Sequence, residues 1–218
     1  GTLSQTIEHG LQAVSIDRAD YQNWLTLAQL YQELAGVGIE GAYEQAQQAY
    51  TTAREENPTN PLPLFRLAQL EVLKGNTSNA IDLFAEAITL KRDFAPAYFV
   101  RSQLLAQQNR LEEAIASAAP AVQLVPDDPL GWYNLGVILY LNGSFNEAGA
   151  AFAQAVNLRT DYSNAFFMLG LTYYQVGAPA EAVAALTRVL ELNPNESFVA
   201  TIIDNIRAGK QPFDGITQ

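Results

Sequence analysis

Apolar and small residues recur along this chain at a constant interval. Four alanines lie 34 residues apart, and four leucines keep the same interval: Ala80, Ala114, Ala148 and Ala182, with Leu90, Leu124, Leu158 and Leu192. Between them, further apolar residues fall three and four positions apart, which is the spacing of one helix face. The pattern predicts one amphipathic helix in every interval and an internal repeat as the organising feature of the chain.

A second set of positions predicts another helix in each interval. Bulky residues open this helix and small residues follow four positions later: Leu64, Tyr98, Trp132 and Phe166, then Ala68, Ser102, Gly136 and Gly170. A small residue that faces a bulky one lets two helices approach closely. Between the two helices lie residues that tolerate a left-handed backbone, namely Gly75, Asn109, Gly143 and Gly177. We therefore expect antiparallel helix pairs joined by short turns.

These residues carry a resemblance to a known family. The run Trp132–Gly136 and the residues after it resemble the tetratricopeptide-repeat (TPR) signature, with Gly143, Ala148, Phe152 and Ala155 at its small and bulky places. Residues 166–194 repeat the signature. The resemblance implies an all-α TPR solenoid in which antiparallel helix pairs stack in a right-handed superhelix. It also implies that the first helix of each pair lines a concave surface that binds protein or peptide.

The repeat divides the chain into consecutive parts of one continuous solenoid domain. We predict TPR units at 21–60, 61–94, 95–128, 129–162 and 163–196, preceded by the second helix of a truncated repeat in 1–20 and followed by a capping helix and tail in 197–218. The half-unit at 1–20 suggests a fragment of a longer chain.

Three segments depart from the regular repeat. The first unit has a six-residue insertion, and three glycines within 35–42 predict a longer loop there. The apolar residues Val37 and Ile39 of this loop either cover their own helices or contact a partner. In the half-unit, Ile16 stands where a second helix faces inward. Residues from Pro212 onward are expected to form a loose tail.

The candidate binding residues lie on the first helices. Four consecutive units carry an aromatic residue one position after the opening bulky residue, at Phe65, Phe99, Tyr133 and Phe167. By the resemblance, these positions face the concave groove. The other predicted groove residues are Gln69, Gln103, Asn134, Tyr140 and Tyr174. Such a groove suits a peptide or helix with apolar side chains, although the aromatic rings have the alternative role of packing against the neighbouring helix.

Composition narrows the chemistry. The 23 acidic and 12 basic residues give a net charge of -11, which disfavours nucleic acid and anionic membrane surfaces because both require clustered Lys and Arg. Cysteine is absent and His9 is the only histidine, so the sequence predicts no metal site, no cofactor and no catalytic relay. No apolar run is long enough to insert in a membrane. We expect a non-enzymatic protein.

The leading hypothesis is therefore a protein–protein interaction scaffold that binds a protein or peptide in its groove. A second hypothesis is a self-assembling module whose exposed solenoid ends associate. A third follows from residues 38–43 and 206–210, which are similar to the TPR tails of bacterial membrane-bound O-antigen ligases or polymerases. That similarity implies an accessory region of such a protein. The compartment stays open between the cytoplasmic and extracytoplasmic sides of a bacterial membrane.

Overall fold

Within residues 3–216, which the computed structural model describes, the chain forms twelve α-helices and no strand. The predicted all-α fold is confirmed. The chain divides into two compact units, Gly1–Leu104 and Leu105–Gln218. The division falls within α6, Ala95–Gln107.

Unit 1 contains two helix pairs and one preceding helix. The pairs are α2 with α3 and α4 with α5, and α1 packs against α2. The helices are α1 (Leu3–Ile16), α2 (Tyr21–Gly36), α3 (Ala42–Glu56), α4 (Pro61–Lys74) and α5 (Thr77–Leu90). Alanines without exposed surface let the helices approach closely, and two fully buried rings, Tyr50 and Phe84, fill the space between them.

The inserted residues of the first pair lengthen both of its helices and the loop between them. α2 has 16 residues and α3 has 15, against 14 in each of α4 and α5. The connecting loop, 37–41, contains Gly38 and Gly41 in left-handed conformations. Val37 is 76% exposed and Ile39 is 51% exposed, so neither side chain covers its own helices.

One expectation for the half-unit is wrong. Ile16 is 84% exposed, whereas Val14 is the buried residue of α1. Gly10 of α1 lies against α2, because a Cβ added there would stand 3.0 Å from Leu27 Cδ1. The face of α1 that packs is therefore the one carrying Gly10 and Val14.

Unit 1 also buries a carboxylate that the sequence analysis did not identify. Glu71 of α4 is 2% exposed. Its Oε1 accepts hydrogen bonds from Tyr43 Oη at 2.7 Å and Gln47 Nε2 at 3.3 Å, and its Oε2 accepts one from Asn76 Nδ2 at 2.7 Å. Burial raises the pKa of Glu71, but hydrogen bonds from these three side chains and from Asn79 outweigh it, so the pKa lies below its ordinary value.

Unit 2 continues the alternation of first and second helices. Its helices after α6 are α7 (Leu111–Leu124), α8 (Pro129–Leu141), α9 (Phe145–Leu158), α10 (Ser163–Gln175), α11 (Pro179–Leu192) and α12 (Ser197–Arg207). α8 pairs with α9, α10 pairs with α11, and α12 packs on α11. α8 begins with Pro129 after Asp128, whose carboxylate accepts a hydrogen bond from the Leu130 amide.

The predicted pairing of small with bulky residues is visible in both complete pairs of unit 2. A Cβ on Gly136 would stand 2.7 Å from Cδ1 and Cε1 of Phe152. A Cβ on Gly170 would stand 2.7 Å from Leu186 Cγ. Both facing side chains are fully buried. Glycine at these two positions therefore avoids a close contact that a Cβ would make at the present distance between the helices.

The turns also follow the sequence prediction. The four residues predicted to take a left-handed backbone have φ angles of 85°, 58°, 79° and 78° at Gly75, Asn109, Gly143 and Gly177. Pro120 lies inside α7, which continues through it to Leu124. Because proline has no N–H, it offers no donor to the carbonyl of Ala116 one turn earlier.

The expected loose tail is wrong for residues 212–216, which belong to an ordered segment, 209–216. This segment turns back onto α12, where Asn205 Nδ2 donates hydrogen bonds to the carbonyl oxygens of Pro212 and Asp214 at 3.0 and 2.8 Å. The rest of the predicted tail, residues 217–218, lies outside the described residues.

Candidate functional site

The nine predicted groove residues divide between the two units. Four lie in unit 1 and five in unit 2: Phe65, Gln69, Phe99 and Gln103, then Tyr133, Asn134, Tyr140, Phe167 and Tyr174. Each set is described within its own unit.

Phe65 is a packing residue. Its side chain is 8% exposed, and its ring meets Phe84 edge-on at 5.4 Å and Phe94 at 5.3 Å between centroids. Phe84 belongs to the second helix of the same pair, and Phe94 directly precedes the next first helix. The ring thus joins one pair to the start of the next and retains little surface for a ligand.

Gln69 lies in a groove between α2 and α4. The groove has a volume of about 470 Å³ and is lined by Gln29, Gln32, Glu33, Gly36, Arg66, Gln69, Val72 and Leu73. Arg66 Nη1 donates a hydrogen bond to Gln69 Oε1 at 2.9 Å. Gln32 Oε1 accepts one from the buried Tyr50 hydroxyl at 2.6 Å. The lining therefore combines side-chain amides with one guanidinium, the carboxylate of Glu33 and the exposed apolar side chains of Val72 and Leu73.

The hydroxyl of Tyr50 stays protonated next to this groove. The pKa of Tyr50 is raised to about 12, chiefly by burial; the nearby Arg66 lowers it and Glu33 raises it, each by less than burial does. Tyr50 therefore serves as a donor to Gln32 throughout the physiological range. Phe99 and Gln103, on α6, are both half-buried and keep part of their surface open to solvent.

Tyr133 repeats the packing of Phe65. Its ring lies 5.8 Å from Phe152 and 5.1 Å from Tyr162, at the same sequence offsets that separate Phe65 from Phe84 and Phe94. Burial raises the pKa of Tyr133. Tyr133 is nevertheless half-buried rather than fully enclosed, so part of the residue remains exposed to solvent.

The exposed side of α8 forms a stripe of uncharged residues. Leu130 is 46% exposed and Leu141 is 58% exposed, and the half-buried Asn134 and Val137 lie between them at helical spacing. Tyr140 is also half-buried, and its ring packs edge-on against Phe145 at 5.2 Å. Leu130 and Leu141 were not among the predicted groove residues, although their spacing from Asn134 places all three on one face of a helix.

The two predicted groove residues of α10, Phe167 and Tyr174, contact the C-terminal elements. The ring of Phe167 lies 5.8 Å from that of Phe198, in the first turn of α12. The hydroxyl of Tyr174 donates to the carbonyl oxygen of Lys210 at 3.5 Å and to Gln211 Oε1 at 3.3 Å. Both side chains are half-buried, because α12 and the segment after it cover them in part.

Charge is distributed unequally over the helices of unit 2. Residues 129–146 and 162–180, which include the whole of α8 and α10, contain no Asp, Glu, Lys, Arg or His. Glu147 of α9 and Glu181 of α11 are exposed, so acidic residues lie on the second helices. α8 and α10 therefore carry no charged side chain, whereas the first turns of α9 and α11 each carry a glutamate.

Residues 3–216 contain neither a metal-binding cluster nor a membrane-spanning helix. In that part of the chain, no group of three or more His, Cys, Asp or Glu side chains is placed to hold a metal ion. No helix in the same range is long and apolar enough to cross a membrane.

Comparison with solved structures gives similar folds at low identity. YrrB, described as a TPR protein with an unusual peptide-binding site, is 19% identical with a TM-score of 0.75, over 89% of this chain and 97% of that one. MamA from Desulfovibrio magneticus RS-1 is 19% identical with a TM-score of 0.65, over 78% and 96%. A C-terminal part of a TPR protein from Cytophaga hutchinsonii is 17% identical with a TM-score of 0.72, over 99% and 95%. At these identities the likeness shows the fold alone.

Comparison with family profiles identifies the repeat directly. Tetratricopeptide-repeat profiles match residues 40–98, 87–129, 99–166 and 163–196. No curated protein matched the sequence, and the similarity to O-antigen ligase tails gains no support from any of these matches. The fold is one that serves as a scaffold for protein–protein interaction. Because the matched segments together cover most of the sequence, the chain belongs to the tetratricopeptide-repeat family.

Proposed function

We propose that this chain is an interaction module that binds an apolar segment of a partner protein on α8 and α10 of unit 2. The observation that carries the proposal is the absence of charge from both helices, combined with the exposure of Leu130 and Leu141. An exposed apolar stripe costs solubility unless a partner covers it, and contiguous apolar surface is typical of interaction sites.

The geometry favours a helical or extended segment with apolar side chains at regular spacing. Leu130, Asn134, Val137 and Leu141 follow one line along α8, and Tyr140 and Tyr174 supply rings with one polar end. Aromatic side chains provide large contact area with few rotatable bonds, so they contribute disproportionately to affinity. Within unit 1, taken by itself, Phe99, Gln103 and Gln69 stay the proposed contact residues. Phe65 is left out because it is buried.

The acidic second helices suggest the charge of the partner. Glu147 and Glu181 lie in the first turns of the helices that follow α8 and α10, and the whole chain carries -11. A partner segment with Lys or Arg beside its apolar residues gains attraction, whereas an acidic segment is repelled. We therefore expect association rates to fall as salt concentration rises.

A peptide selection tests the proposed face. Peptides are selected from a random displayed library on the native protein, synthesised, and titrated against variants by fluorescence anisotropy. Leu141→Asp places a charge on the α8 stripe, and Leu158→Asp places the same charge at a comparably exposed leucine of α9, 43% exposed. We expect L141D to weaken binding by about tenfold or more and L158D to change it by less than about twofold. Equal effects of the two variants would refute the proposed face.

A second candidate function is self-association through α1. Leu11 is 48% exposed and Ile16 is 84% exposed, so α1 presents apolar side chains to solvent. Light scattering over a concentration series measures the mass of the particle. Self-association predicts a rising mass for the native chain and a monomer mass for Ile16→Asp, and a constant mass for both contradicts it.

A further inference from the structure

The C-terminal turn, residues 209–216, is built as a separate segment lying on α12. Gly209 has a φ of 69° and ends the helix, and the amide of Lys210 donates to the carbonyl of Asn205 at 2.9 Å. The chain reverses again at Gly215, with a φ of 75°. Between these glycines, Gln211, Phe213 and Asp214 are exposed, with Phe213 at 52%.

Asn205 recognises the backbone of this turn. Its side chain is 8% exposed, and Nδ2 donates to the carbonyl oxygens of Pro212 and Asp214 at 3.0 and 2.8 Å. Both amide protons are thus spent on main-chain acceptors two residues apart. A buried amide that bonds only main-chain carbonyl oxygens recognises the backbone conformation of a peptide and not the identity of most of its side chains.

The remaining contacts select two side chains. Pro212 is buried, and Ile216 packs against an apolar cluster of α11 and α12 that includes Val189, Val199 and Ile203. Tyr174 also packs against this cluster, and its hydroxyl donates to Lys210 O and Gln211 Oε1. None of these contacts involves a charged group of the turn, so the hold on it is made of neutral hydrogen bonds and apolar burial.

We propose that Asn205, Tyr174 and the apolar cluster of α11 and α12 form a second peptide-binding site, which the C-terminal turn occupies in cis. The ligand class is a short turn-forming segment that has a proline and an aliphatic residue four positions later. The carbonyl oxygens of the proline and of the residue two positions after it must be free to accept hydrogen bonds. The site is distinct from the α8 stripe, and two predicted groove residues of α10, Phe167 and Tyr174, pack against its apolar cluster. A partner that reaches Tyr174 has to displace the turn.

Binding of the turn's own sequence in trans tests the site. The probe is a fluorescein-labelled peptide with the sequence of residues 209–216. The full chain carrying Pro212→Ser and Ile216→Ser weakens the turn without altering the site. We expect this release variant to bind the probe at least tenfold more tightly than the native chain. Adding Asn205→Ala to the release variant should return binding to the native level, and a probe with serine in place of its proline and isoleucine should not bind.

Two outcomes overturn the proposal. One is a release variant that binds the probe no more tightly than the native chain. The other is hydrogen exchange in the native protein at equal rates for the amides of Asp214, Ile216 and Ile206 in α12. We expect the amides of Asp214 and Ile216 to exchange at least a hundredfold faster than that of Ile206. Equal rates would mean that the turn opens only when α12 unfolds and is therefore part of the core. Because the α8 stripe is tested by L141D, failure here leaves the proposed function untouched.

Discussion

Replacing Gly136 with alanine sets two effects of opposite sign against each other. Alanine favours the helix over glycine by about 0.5–1 kcal/mol, because it restricts the unfolded chain. The new Cβ, however, would stand 2.7 Å from two ring carbons of Phe152 and 3.0 Å from a third. Phe152 is fully buried and its ring packs against Tyr133, so it has no free space to enter. Forcing atoms into such a contact costs about 1–3 kcal/mol.

We therefore expect Gly136→Ala to destabilise the protein by about 1 kcal/mol net. Gly149→Ala is the matched control, because Gly149 also lies inside a helix but its Cβ would meet only Thr172 Cγ2 at 3.5 Å, an ordinary contact. That variant should gain about 0.5–1 kcal/mol. Urea unfolding followed by far-UV circular dichroism measures both changes, provided that the slope of the transition is unchanged.

A Gly136→Ala variant that is as stable as the native protein, or more stable, would contradict the expected clash with Phe152. A double variant sharpens the test. Phe152→Leu alone leaves a cavity and costs stability, but it removes the ring atoms that the new Cβ would meet. If the clash is the cause, the loss in the double variant is smaller than the sum of the two single losses.

Three further outcomes follow from unit 1 and from α7. Glu71→Gln should cost about 2 kcal/mol in urea unfolding near neutral pH, because the amide accepts fewer hydrogen bonds and presents a donor to Tyr43 and Asn76. Since the pKa of Glu71 is lowered by folding, the unfolded chain takes up a proton first as the pH falls below about 4.5, and the stability advantage of the native protein over Glu71→Gln should shrink as the pH falls further; an advantage that does not change with pH would contradict this. Pro120→Ala should restore the donor to the carbonyl of Ala116 and raise stability by about 1–3 kcal/mol in thermal unfolding, whereas an unchanged or lowered transition would show that α7 has already adapted to proline.

The sequence was sufficient to predict the helices and turns because the residues that specify each of them recur in several repeats. Gly75, Gly143 and Gly177 stand at equivalent places, and the conformation that each adopts is decided by its immediate neighbours along the chain. The close approach at Gly136 and Gly170 was predictable for the same reason, since the bulky partner of each lies at a fixed offset within one helix pair.

The roles of the aromatic residues were harder to predict, because one position serves both packing and binding. Phe65 and Tyr133 pack because aromatic residues also stand 19 and 29 positions after each of them. Phe99 has Ala118 and Asp128 at those offsets. The sequence therefore contained the signal for the ring contacts of Phe65 and Tyr133, but only when three positions are compared together.

Other features depend on contacts that no repeat specifies. Asn205 is an ordinary polar residue in the sequence of α12, and its role appears only once the chain has turned back to bring the carbonyl of Pro212 against it. Glu71 is similar: a glutamate in a helix is normally solvated, and its donors come from α3, from the turn at Asn76 and from α5. Neither arrangement follows from helical periodicity, which describes only neighbours on one face.

The buried carboxylate of Glu71 has a consequence for how unit 1 comes apart. Stacked repeats contact mainly their neighbours, which allows them to fray one helix at a time. Moving α3 or α5 away from α4 would deprive an ionised group of donors before water could fully replace them. Partial opening at this place is thereby made costly, so α3, α4 and α5 should lose their structure in a single step rather than successively.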